Sequence, residues 1–277
     1  MYLRTPKQLH LELTSRCNAS CPMCSRVVNP IEQPHTLTAK DITNATSGIQ
    51  FDLISYCGND GDPLMARDLL KIVRRFAPTH QMIHTNGSLR SKDFWLDLAT
   101  IPNLTVVFAI DGTDQETHST YRVGTDYNKI LSNAKIFNDA GGTSWWQFIM
   151  FEHNRHQVED ARSIAKQYGF TQFEMVHSRR DDTSNIKTIK FLGRKGSDTV
   201  KCLAIENQKI YVRSDGEVFP CVYRGNRGES TGLNIKNTHL KDIVFDPYFD
   251  RFDFTHPICQ YNCKDMIRNR RDKTSIR

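Results

Sequence analysis

A chain of 277 residues with 38% hydrophobic and 25% charged residues and a formal net charge of +6 can bury a substantial core but is too polar to be a bundle of membrane spans. No run of eighteen apolar residues is present and Met1 to Lys7 lacks the apolar stretch of a signal peptide, so the expectation is a cytoplasmic protein with reduced thiols and no membrane partner. The positive charge is uneven: residues 177–201 carry seven Lys or Arg against three Asp, and residues 264–277 carry six against two. Such flanks suit an anionic substrate, nucleic acid or an acidic-faced reductase, although a solvated surface accounts for each segment taken alone. The absence of aromatic residues from 264–277 argues against nucleic acid.

In chain order, Leu9-His10-Leu11-Glu12-Leu13 alternates as a strand with one buried face and runs into Arg16-Cys17-Asn18-Ala19-Ser20-Cys21-Pro22-Met23-Cys24. Three thiolates in eight residues make a metal claw without a fourth ligand. A structural zinc site closes with four Cys or His ligands, whereas an iron–sulfur cube can be held through three irons with the fourth left open. Ligands leaving the carboxyl end of a strand face the active-site side of an α/β barrel.

Further strands are expected over 51–56, 81–85, 104–110, 145–151 and 172–176. They alternate with helices over 39–47, 66–76, 91–99, 127–139 and 157–168, the first opened by Thr38 with Asp41 as a capping pair. Six β/α units around a parallel sheet define the α/β class and are too few for a closed eight-stranded barrel. Gln147 is a lone polar residue in the fifth strand, either a substrate contact or a satisfied core amide.

Residues 177–200 are polar, with Arg179-Arg180-Asp181-Asp182-Thr183-Ser184-Asn185 reading as a linker or excursion. A new pattern begins at Cys202. Residues 209–213 and 217–219 flank Ser214-Asp215-Gly216 as a β-hairpin with an Asp-Gly turn. Cys202, Gly216, Cys221 and the pair Cys259-x3-Cys263 form a second constellation, in which four thiolates could close either one 4Fe-4S cluster or a structural zinc site. Cys57, the eighth cysteine, is either a small buried apolar residue or a hydrogen-atom donor to a substrate radical.

The Cys-x3-Cys-x2-Cys spacing resembles the signature of the radical S-adenosylmethionine (radical SAM) enzymes, and Cys202 to Cys263 resembles the twitch form of the SPASM auxiliary-cluster region. The resemblance implies a partial (β/α)6 barrel over 1–180, a basic linker over 181–200 and a β-hairpin-plus-helix cluster module over 201–277. It implies SAM and two 4Fe-4S clusters as cofactors, held by Cys17, Cys21 and Cys24 and by Cys202, Cys221, Cys259 and Cys263. Met23 stands where the family has an aromatic residue near the adenine. The loop Cys57 to Leu64 resembles the Gly-Gly-Glu-Pro element, so Gly61, Asp62 and Pro63 are implied at the SAM amino group, with Asp62 in place of Glu. Thr85-Asn86-Gly87 looks like the turn below the ribose. Asp111 belongs to a Ser-x-Asp-Gly-like element whose serine is Ala109, and Arg122 of Tyr121-Arg122 is implied at the SAM carboxylate.

The implied activity is that of an oxidoreductase or maturase: a 5'-deoxyadenosyl radical takes hydrogen from a small polar or peptidyl substrate, and the auxiliary cluster receives the electron. A flavodoxin- or ferredoxin-type protein would supply electrons. No leader-recognition domain precedes the first strand, which weighs against a peptide. The alternatives are a redox-neutral epimerase with Cys57 as hydrogen donor, and a non-enzymatic zinc protein that binds RNA.

Overall fold

The computed structural model describes residues 5–178, 180, 182, 183, 186–189, 202–225, 230–249, 256, 257, 259 and 263, and the backbone of Asp250 and of Asp272–Ser275. Most of the expected linker over 181–200, and every side chain of the basic stretch 264–277, lie outside the described residues.

Six strands follow one another as parallel neighbours: β1 (Gln8–Leu11), β2 (Leu53–Tyr56), β3 (His80–Thr85), β4 (Leu104–Ala109), β5 (Thr143–Met150) and β6 (Gln172–His177). The connecting helices include α1 (Ser25–Val28), α2 (Ala39–Thr46), α3 (Leu69–Arg75), α4 (Lys92–Ala99), α5 (Gln115–Tyr121), α6 (Tyr127–Asp139) and α7 (Val158–Gln167). Thr38 and Asp41 form a full capping box at α2, as their spacing predicts. The single-turn α1 and the seven-residue α5 are too short for periodicity to show, although Asp114 caps α5 by accepting from Thr117 N.

The strands' outer faces carry the core. Trp95 of α4 stacks on Phe108 of β4 at 5.3 Å between centroids, Trp146 meets Phe170 and Phe173, and the Arg162 guanidinium of α7 lies 4.9 Å from the Phe173 ring. Alternation therefore turns His10, Glu12, Gln147 and Glu174 to the inner face. An inner face lined with acids, imidazoles and amides is not a filled barrel core, and it marks the concave side as the place for polar chemistry.

The hairpin is present as expected, with β7 (Lys209–Val212) antiparallel to β8 (Val218–Phe219) and Gly216 at φ +95° in the turn. Its placement was not legible. β7 pairs in parallel with β1, Leu9 opposite Ile210, so the hairpin extends the barrel sheet at one edge. At the other edge β9 (Asp272–Ser275) pairs antiparallel with β6, so part of the C-terminal basic stretch is an edge strand.

Candidate functional site

The cysteine loop leaves the carboxyl end of β1 and is anchored at its base. Thr14 bridges Thr36, Ser15 N donates to His35 O, and Asp62 N donates to Arg16 O at 2.8 Å. Gly61 is fixed by that last approach. A Cβ there would stand 2.2 Å from Thr14 O and 2.6 Å from Arg16 O, so only glycine lets the loop after β2 press against the claw.

Within the claw, Ala19 N donates to Cys17 Sγ at 3.3 Å and Cys24 N to Cys21 O at 2.9 Å. Cys21, Met23, Ala19, Tyr121, Phe151 and Ile186 form a buried apolar cluster, with Cys17 and Cys24 packed at its edge. Burial, and after it the Asp62 charge, pushes the Cys17 thiol up to about 11. Burial raises Cys21 as well, while the Arg122 guanidinium beside it works in the opposite sense. Among the described residues no three Cys, His, Asp or Glu gather as a single-ion site. Thiolates that bind separate corners of a cube need not do so, and buried thiols of raised pKa become ligands only when a metal supplies the counter-charge.

Asp62 is buried, and both its oxygens face β3. It accepts from Thr85 Oγ1, Asn86 N and Leu64 N at 2.8–2.9 Å, while Pro63 opens a single 3-10 turn behind it. Asn86 reaches back to the claw, donating to Asn18 Oδ1 at 2.9 Å and to Cys17 Sγ at 3.8 Å.

Asp111, fully buried, pairs with the partly buried Arg122, Nε to Oδ2 at 2.6 Å, so the arginine is not the exposed residue that a weak surface ion pair would require. Asp111 also accepts from Ile149 N at 2.6 Å. His118 Nδ1 accepts from Asp111 N at 3.2 Å and its Nε2 meets the Thr125 hydroxyl at 2.9 Å, an arrangement that suits the neutral ring. Burial, then the Arg122 charge, holds the His118 pKa down to about 3. His118 was not singled out from the sequence.

A second polar cluster lies between β1, β2 and β7. Glu12, fully buried, accepts from Asn59 Nδ2 at 2.7 Å and from the backbone N–H of Asn59 and Asp60. Asp60 accepts from Ser214 Oγ at 3.1 Å, and the His10 ring stands edge-on to Tyr211 at 4.9 Å. Burial pushes Glu12 up to about 8; burial and the Glu12 charge push Asp60 up to about 6. Alternation puts Glu12 opposite the leucines of the first strand, and Asp60 lies in the Cys57-to-Leu64 loop, but neither was singled out from the sequence. Asp60 opens on a cleft of about 300 Å³ shared with Arg26, His35, Arg213 and Asp215. Cys57, half-buried at the end of β2, neighbours Tyr211. Gln147 donates to Glu174 Oε2 at 2.7 Å and is thus a partnered amide.

Cys202 and Cys221 are electrostatic neighbours. Cys263 N donates to Cys259 O at 2.9 Å, which puts these two one helical turn apart.

The family description "SPASM: Iron-sulfur cluster-binding domain" matches residues 202–265. The AdoMet-dependent heme synthase of Methanosarcina barkeri is 25% identical over 191 residues, 65% of this chain and 54% of that protein. The PqqA peptide cyclase of Gluconobacter oxydans is 22% identical over 182 residues, 63% of this chain and 50% of that protein. The chain thus spans about half the length of these relatives. Streptococcus suis SuiB bound to its precursor peptide SuiA has the same fold, with a TM-score of 0.73 at 16% identity over 90% of this chain and 67% of SuiB. Native anSMEcpe with bound AdoMet aligns at a TM-score of 0.63 and 16% identity over 88% of this chain and 82% of that one.

Proposed function

We propose that this chain, which belongs to the radical SAM enzymes and carries a C-terminal SPASM iron–sulfur domain, oxidises a peptidyl or small polar substrate by two electrons. The observation that carries the reading is the claw: three thiols on one loop at the carboxyl edge of a parallel sheet, seated against a buried apolar cluster. Cys17, Cys21 and Cys24 would hold the first 4Fe-4S cluster, and Cys202, Cys221, Cys259 and Cys263 the second. When bound, the first cluster and SAM supply the 5'-deoxyadenosyl radical that takes the substrate hydrogen.

The chain's own residues orient these parts. Asp62, held by Leu64 N, Thr85 Oγ1 and Asn86 N, would set its negative charge beside the claw to meet the SAM ammonium. Gly61 and Pro63 set that loop against the claw, Thr85 and Asn86 form the shelf beside it, and Met23 gives the apolar packing. Asp60, facing the cleft, can accept the proton that the oxidised substrate sheds. A precursor peptide bound to SuiB and a relative named as a peptide cyclase favour the peptidyl substrate. Electrons would come from a flavodoxin- or ferredoxin-type protein, and the division into a barrel over 1–180 and a module over 201–277 is part of this proposal. The test is cleavage of SAM to 5'-deoxyadenosine by the reduced, anaerobically reconstituted chain. Cys21→Ala should abolish it, and undiminished cleavage in that variant would remove the claw from the chemistry.

A further inference from the structure

The cleft of about 300 Å³ onto which Asp60 opens runs between two segments: the one that follows the claw, which supplies Arg26, Asn29 and Ile31, and the turn of the β7–β8 hairpin, which supplies Arg213 and Asp215. Its polar groups are largely committed to one another. Ser25 donates to Asn59 O at 2.9 Å, Ser214 donates to Asp60, and Arg213 donates to Asp215, Glu217 and the Gly225 carbonyl. One donor is left over. Arg26 reaches Ala19 O through Nη2, yet its Nε is buried with no hydrogen-bond partner among the described residues. A buried donor without an acceptor is rare in a folded protein, and on the wall of a cleft it calls for a ligand oxygen.

We propose that this cleft is a substrate subsite that reads a peptide amide: the Arg26 Nε–H donates to the amide carbonyl, and Asp60 accepts from the amide N–H. The inference rests on the peptidyl reading above. The charged residues that line the cleft balance, Arg26 and Arg213 against Asp60 and Asp215, so a carboxylate or phosphate would meet two acids and an ammonium group would meet two guanidinium groups. An amide brings one acceptor and one donor and no net charge. Its planar carbonyl suits the in-plane Nε–H of a guanidinium. Ile31 offers apolar surface to a substrate side chain, and the volume lies at the lower end of the range for ligand sites, so the cleft would hold a short stretch of chain and not a folded domain.

The experiment is photo-crosslinking of the reconstituted full chain to a pool of random pentapeptides, N-acetylated and C-amidated to remove terminal charge and each carrying a benzophenone, with the sites mapped by mass spectrometry. Crosslinks are expected on residues 25–35 and 213–215. Ile31→Trp, which fills the cleft and leaves Arg26 in place, should lower capture there by about tenfold or more. Arg26→Met should do the same, and Arg26→Gln, which keeps an N–H donor without the charge, should recover part of the loss. Equal loss in Arg26→Met and Arg26→Gln would overturn the amide in favour of an anionic group. Undiminished capture in Ile31→Trp or in Arg26→Met, or an absence of crosslinks from the cleft of the wild type, would overturn the subsite altogether. SAM cleavage is measured on the same preparation: capture at the cleft by a wild-type chain that leaves SAM intact would count against the reading of the claw and keep the peptide site.

Discussion

The Thr85 hydroxyl lies 2.8 and 2.9 Å from the two carboxylate oxygens of Asp62, which ties the end of β3 to the loop after β2 directly beside the claw. Asn86 extends the tie, donating its backbone N–H to Asp62 and its side chain toward Cys17. Hydrogen bonds to a charged group contribute about 1.5–3 kcal/mol each, so this shelf is rigid before any ligand binds. Asp62→Ala should therefore weaken SAM binding by about tenfold or more while the cluster's absorbance persists. Equilibrium binding checks this, and an unchanged dissociation constant would exclude Asp62 from the SAM site.

Glu12 gives a pH dependence of known sign. Its folded pKa of about 8 lies above the ordinary 4.5, so the folded state keeps a proton that the unfolded chain releases. The stability tied to that proton is fully present below pH 4.5 and is lost as the pH rises through about 8, at roughly 1.4 kcal/mol per pH unit. Glu12→Gln, which resembles the protonated acid, should be more stable than the wild type at pH 8 and nearly equal to it at pH 4.5. Thermal melts at the two pH values test this. A gain equal at both would show that Glu12 is not the titrating group.

The six barrel strands and their long helices were legible because their signals are local. The capping box at Thr38 and the Asp215-Gly216 turn are read within a few residues. The claw was legible for the same reason, as three cysteines on one loop. The Glu12–Asp60–Ser214 contact was not, because its members come together only through the parallel docking of β7 on β1. Asp111 and Arg122 were expected separately, and their pairing with each other and beside His118 depends on the short helix α5, which periodicity does not show. Gly61 shows the limit from the other side. Its place in a glycine-containing loop after the second strand was readable, but the reason for glycine is the backbone of Thr14 and Arg16, more than forty residues upstream.

The C-terminal cysteines decide whether an oxidised substrate has an electron outlet. Cys202 and Cys221 flank the hairpin that joins the barrel at β1, and Cys259 and Cys263 lie one helical turn apart. Four thiolates can close a zinc site or a 4Fe-4S cluster, but zinc takes no electron. The intact chain should hold about eight irons and eight sulfides, the content of two cubes. Replacing Cys259 and Cys263 by Ala should leave about four irons, spare much of the uncoupled SAM cleavage that the first cluster supports, and stop formation of oxidised product. Metal analysis with parallel assays of deoxyadenosine and product checks all three. One zinc with only about four irons in the intact chain would refute the auxiliary cluster, and oxidised product from the double variant would show that the electron leaves by another route.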